Sequence, residues 1–178
     1  LPKSVIYDPA LFAGLPIAIA GPSGMNAIAH AVEALWASNS TPLTDMLALA
    51  GIVAMVAALR KMQSDPDDSE ARETAIYGAM LCGMVLGQTT TSLHHKLCHA
   101  IGGALDLPHA ETHAAVLPHV VAFNLPYADQ ARTRLAEALG DDPATAFFDL
   151  AKGLGCPMAL TQLGADPARK GDIADLVM

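Results

Sequence analysis

A chain of 178 residues is long enough for one ordinary domain with a full core. Its 52% apolar content excludes disorder, and a formal charge of −8, with 10 basic residues scattered along the chain, argues against nucleic acid or an anionic membrane as a partner. Cys82, Cys98 and Cys156 lack metal-ligand spacing and read as reduced thiols of a cytoplasmic protein.

Val5-Ile6-Tyr7, followed by Asp8-Pro9, reads as a strand running into a turn. No other convincing strand follows. Residues 1–8 are therefore expected to be the last strand of a sheet whose other members lie upstream, and residues 9–178 an all-helical domain of a larger protein. Residues 9–22, rich in proline and glycine, read as a connector. Ser23 is placed to cap a helix over about 24–37. Within it Asn26, His30 and Glu33 recur at i, i+4 and i+7, a polar stripe on an apolar cylinder that must find partners or cost stability.

The next helix, about 43–61, is capped by Thr41 with Pro42 at its first position. Its apolar run, 46–59, is 14 residues, short of the roughly 20 needed to span a bilayer. Being apolar nearly all round, it is expected to be central. Asp65-Pro66-Asp67-Asp68 is a solvated turn, and about 70–86 is a third helix whose Gly78, Ala79, Gly83 and Gly87 favour close packing. Poor helix formers at 88–92 break the chain before the stretch 93–113, which holds five of the 7 histidines. His95 and His99 stand four apart, hence on one helical face, and His109 and His113 repeat that step beyond Gly102, Gly103 and Pro108. Further helices are predicted to Asn124, bent at Pro118, and over 128–139, 143–154 and 172–177.

Two imidazole pairs on successive short helices can converge on one point, together with Asn26 and His30. Such histidines either build a site for a cation or a proton transfer, or merely bond backbone carbonyls. His94 and His119 read as structural, Glu33 as a buried acceptor behind the site, and Asp106 as shaping a turn. Cys98 falls away from His95 by helical spacing and reads as core. Lys96 is either a surface lysine or a cation that meets an anion, since burying it alone is expensive.

Gly24-Met25-Asn26-Ala27-Ile28-Ala29-His30-Ala31-Val32-Glu33, followed by His95-x3-His99-x9-His109, resembles the C-terminal helical domain of the iron-containing alcohol dehydrogenase superfamily, a dehydroquinate synthase-like helical array. The resemblance implies a divalent metal, iron or zinc, at Asn26, His30, His95 and His109, with His99 beside the nicotinamide and the substrate. It also implies a homodimer and a dinucleotide-binding α/β domain upstream. Most of the superfamily has aspartate where Asn26 stands. That difference and the run His94-His95-Lys96-Leu97-Cys98-His99 look like the maleylacetate reductases, which use NADH or NADPH to reduce a carbon–carbon double bond in a small dicarboxylate.

An amide in place of the anionic ligand is expected to hold a divalent ion weakly. Reduction at carbon of an enone has less need of a Lewis acid than reduction of an isolated ketone. His95, His99 and His30 are then the expected catalytic residues, with Lys96 on a substrate carboxylate. Their division of labour is left open by spacing. A metal-dependent alcohol dehydrogenase that tolerates Asn26 is the alternative on the same fold. A helical binding or scaffold module with structural histidines is the alternative of another class.

Overall fold

Helices α2 (Pro42–Ser64) and α3 (Ser69–Leu86) form an antiparallel pair, and α1 (Ile17–Ala34) lies across both. The computed structural model describes residues 3–169 together with 171 and 174. Helices α4 (Leu93–Leu105), α5 (His109–Asn124), α6 (Asp129–Leu139) and α7 (Pro143–Gly153) complete the array. The all-helical expectation holds, and of the predicted helix over 172–177 only residue 174 is among the described residues.

The caps of the α2–α3 hairpin follow from its sequence. Thr41 Oγ1 accepts from the Thr44 amide at 3.2 Å, while Thr44 Oγ1 accepts from the Thr41 amide at 2.7 Å, a reciprocal capping box. Asp68 caps α3 by accepting from the Ala71 amide at 2.8 Å. Where the two helices cross, Gly78 leaves room for backbone: a Cβ there would lie 2.9 Å from the Met55 nitrogen. The core fills the space between this pair, α1, α5 and α7, with Met25, Ile28, Ile52, Leu59, Leu117 and Phe147 buried.

Several expectations change. The first helix begins at Ile17 rather than near Gly24, and Ser23 is an exposed residue inside it, not its cap. Gly21 and Pro22 are buried there, with Gly21 close against Leu154, so tertiary burial overrides the local tendency of a Gly-Pro pair to break helices. Helix α2 is not buried all round. By length and composition it could cross a membrane, yet Ile52, Met55, Val56 and Leu59 face the core while Leu43, Met46 and Val53 are exposed. Val5 and Ile6, expected to pair with a sheet upstream, have no ladder partner among the described residues, and Ile6 is 90% exposed. Nothing lies within 4 Å of a Cβ built at Gly103, and the nearest atom to one at Gly102 is the Leu107 carbonyl oxygen at 3.8 Å. Asp106 does shape the turn, closing α4 in the left-handed region at φ 52°.

Gly78→Ala is expected to lower stability by about 1–3 kcal/mol through overpacking against the α2 backbone. Urea denaturation checks this, and a midpoint equal to the parent would show that the crossing has slack.

Candidate active site

The site is assembled where α1 meets the start of α4. Ser92, at the N-cap position of α4, makes no side-chain cap for its own helix. Glu33 of α1 takes that place. One of its oxygens accepts from the His94 amide at 2.6 Å and the Ser92 hydroxyl at 2.8 Å. The other accepts from the Ser92 amide at 3.0 Å and from His95 Nδ1–H at 2.7 Å. Trp36 extends the network, its indole N–H donating to Ser92 Oγ at 3.0 Å. The side chain of Glu33 is 1% exposed. Burial opposes its charge, but the bonds from His95, Ser92 and His94 outweigh burial and bring the carboxyl down to about 2.

This anchor dictates the next contact. With the His95 Nδ1 proton given to Glu33, Nε2 turns toward His30, and the two Nε2 atoms lie 3.1 Å apart with ring centroids 3.9 Å apart. His30 Nδ1 is buried without a partner, which fits a tautomer whose proton sits on Nε2 and points at His95. The result is a directed chain, His30 to His95 to Glu33. Burial, with His95 and His94 adding to it, lowers His30 to about 3.

A second group of rings lies alongside. The rings of His109 and His113 lie 4.2 Å apart between centroids, tilted by 37°, and His99 stands 5.9 Å from each. His113 joins the groups, 4.8 Å from the His95 ring and 5.0 Å from that of His94. His94 is structural as expected. Fully buried, it donates from Nε2 to the His113 carbonyl at 3.1 Å, and burial lowers it to about 4. Cys98 packs with Ile101, Val116 and Val120, its sulfur 3.6 Å from His94 Nε2, and burial pushes its thiol up to about 12.

Of the residues singled out in the sequence, His30 and His95 meet directly, and His99 and His109 sit in the adjoining group. Lys96 is exposed on α4. Asn26 lies one turn before His30, and its Oδ1 is buried without a partner. The four positions expected to hold a metal are thus divided. Asn26, His30 and His95 lie on one side, whereas His109 keeps company with His99 and His113, and the nitrogens of His30, His95 and His109 do not gather within 4.8 Å. Glu33 cannot stand in as the missing anion, because its oxygens already accept four hydrogen bonds. As the side chains stand, the three imidazoles of that set do not converge on one point.

Spacing paired His113 with His109 but gave it no role of its own; both its ring nitrogens are buried and unpartnered. An apolar groove of about 530 Å³ lined by Leu93, Leu97, Val116, His119 and Phe123 includes none of the clustered imidazoles and is separate from this site.

Residues 20–178 match the family model described as Fe-containing alcohol dehydrogenase family, C-terminal. The chain is 49% identical over 179 residues to the maleylacetate reductase of Pseudomonas sp. strain P51, covering 100% of this chain and 51% of that protein. It is 52% identical over 165 residues to the maleylacetate reductase of Burkholderia cepacia, covering 92% of this chain and 47% of that protein. The crystal structure of maleylacetate reductase from Agrobacterium tumefaciens superposes with a TM-score of 0.96 at 48% identity, over 99% of this chain and 51% of that one. The chain spans about half the length of the curated relatives it matches.

The buried imidazoles set the acid limit of the fold. His30, His94 and His113, each lowered chiefly by burial, titrate at about 3, 4 and 2 in the folded chain against 6.5 when unperturbed. The unfolded chain therefore binds more protons below about pH 6.5, and stability rises with pH across that window. Glu33 acts in the same direction only below its unperturbed value of 4.5. Urea midpoints are expected to fall steadily from about pH 6.5 to 4.5, before most carboxylates protonate. A flat profile across that window would contradict neutral burial of these rings.

Proposed function

The chain belongs to the Fe-containing alcohol dehydrogenase family, and we propose that the full-length protein reduces the carbon–carbon double bond of maleylacetate to give 3-oxoadipate, with NADH or NADPH as reductant. The observation that carries this reading is 49% identity to a maleylacetate reductase along the whole chain. The site chemistry supports it independently. The charged group at its centre, Glu33, is consumed in holding α4 and His95, so what faces a substrate is a set of imidazoles with an amide nearby.

A reduced nicotinamide, when bound, supplies hydride to one carbon of the conjugated double bond. Negative charge then gathers on the oxygen conjugated with that bond, and His30 Nε2–H, which donates to His95 Nε2 in the resting site, is the N–H of the pair that can turn to it. Glu33 keeps the Nδ1 proton of His95 in place, so Nε2 is the atom of that ring left to act. Exposed His99, whose ring centroid is 6.0 Å from that of His95, is placed to hand a proton to the adjacent carbon and regain one from water. Lys96 is exposed one residue from His95 and offers a positive charge for a substrate carboxylate.

On this reading the nucleotide lies against residues outside these 178, in an α/β domain to which Val5-Ile6-Tyr7 adds a strand, and the protein works as a homodimer. No step is routed through a metal, because the four expected ligands are divided between two groups.

Steady-state assays of the full-length protein with maleylacetate, beside simple alcohols and aldehydes, test the proposal. Maleylacetate-dependent oxidation of NADH or NADPH is expected to survive chelator treatment, and His95→Ala to lower kcat by about 10²–10⁴. Turnover of alcohols alone, abolished by chelation, would transfer the assignment to a metal-dependent alcohol dehydrogenase. No turnover with any nicotinamide would leave a binding module.

A further inference from the structure

Ser92 stands where a serine ordinarily caps a helix, yet its hydroxyl makes no bond to its own helix. It is turned toward α1, where two groups fix its direction. The Trp36 indole nitrogen can only donate, and it does so to Ser92 Oγ at 3.0 Å. The ionised Glu33 carboxylate can only accept, and Ser92 Oγ lies 2.8 Å from its Oε1. The single hydroxyl proton therefore sits between Ser92 and Glu33. A hydroxyl that accepts one bond while giving another is the more polarised donor, so the indole strengthens the bond the serine makes.

Loss of this hydroxyl would not release the chain. The Ser92 and His94 amides still donate to Glu33, at 3.0 and 2.6 Å. The loop before them is tied separately, Asn39 Oδ1 accepting from the Thr90 amide at 3.0 Å and Asn39 Nδ2 donating to the Gln88 carbonyl at 3.2 Å. What the hydroxyl adds is hold on the carboxylate. It and the His94 amide occupy Oε1, so that Oε2 is presented to His95 Nδ1–H at 2.7 Å. That bond leaves His95 Nε2 to accept from His30, 3.1 Å away.

We propose that Ser92, fixed by Trp36, is a positioning residue: through Glu33 it sets the angle of the His95 ring, and so the direction in which the His30 N–H is offered to substrate. Ser92 and Trp36 act only through Glu33. Their effect on turnover rests on the reduction proposed above, whereas their effect on His95 does not.

Ser92→Ala, Ser92→Thr, Trp36→Phe and the double variant Ser92→Ala/Trp36→Phe, all in the full-length protein, test this by two readouts. The first needs no substrate. A ring proton given to a buried carboxylate resonates far downfield in proton NMR, and its loss in His95→Ala identifies it. The resonance is expected to move in Ser92→Ala, to move less but in the same direction in Trp36→Phe, and to stay in place in Ser92→Thr, which keeps the hydroxyl. The second readout is kinetic. Ser92→Ala is expected to lower kcat about tenfold with KM for maleylacetate changed less than about twofold, and Ser92→Thr to restore kcat to within about twofold of the parent. Trp36→Phe is expected to lower kcat roughly two- to threefold alone and not at all in the Ser92→Ala background, because its only route runs through the hydroxyl. Trp36→Phe removes only the indole N–H and remains informative if Ser92→Ala fails to fold. An unmoved resonance or an unchanged kcat in Ser92→Ala overturns the proposal. So does a threonine variant as slow as the alanine one, or a further loss from Trp36→Phe when the hydroxyl is already gone. A parent without maleylacetate turnover overturns the proposed reaction instead, and the resonance still decides the positioning.

Discussion

The candidate site depends on one buried carboxylate. Removing Glu33 from water costs several kcal/mol, and four hydrogen bonds at 2.6–3.0 Å offset that cost. Two come from backbone amides at the start of α4, so a residue of α1 caps a helix that lacks a side-chain cap of its own. A carboxylate at a helix N-terminus also meets the favourable end of the peptide dipoles. The same group thereby joins two elements about sixty residues apart and orients the imidazole that begins the histidine cluster.

That anchoring explains the division of the cluster. With His95 held through Nδ1, its free nitrogen must face His30, and the pair is used up in a chain of hydrogen bonds ending at Glu33. His109 starts the next helix beyond a left-handed turn at Asp106, and its ring lies tilted against that of His113. The two groups touch through His113 and His95 without merging. The first group ends its hydrogen-bond chain at Glu33, and exposed His99 of the second stands 6.0 Å from His95 between centroids.

Much of this was legible in the sequence. Of the stripe that required buried partners, Glu33 found Ser92, His94 and His95 and His30 found His95, whereas Asn26 Oδ1 stays unpartnered. Spacing placed His95 and His99 on one face and Asp106 at a turn, and the resemblance gave the family to which the chain belongs. Other features needed the third dimension. Gly21-Pro22 reads as a break because packing against Leu154 is invisible locally. Exposure of one face of α2 cannot be inferred from a run of apolar letters. His113 was paired with His109 by spacing but given no role, because the family motif supplies one for His109 and none for its i+4 neighbour; only burial without a partner marks it out.

The most direct test of the account is the stability of Glu33→Gln, which keeps the shape of the side chain but turns half of its acceptor capacity into donors. Urea denaturation of the full-length protein at neutral pH is expected to show a loss of about 2–4 kcal/mol, since donors at Ser92, His94 or His95 lose their acceptor inside the core. A midpoint within about 0.5 kcal/mol of the parent would contradict the claim that this carboxylate holds α1, α4 and the histidines together.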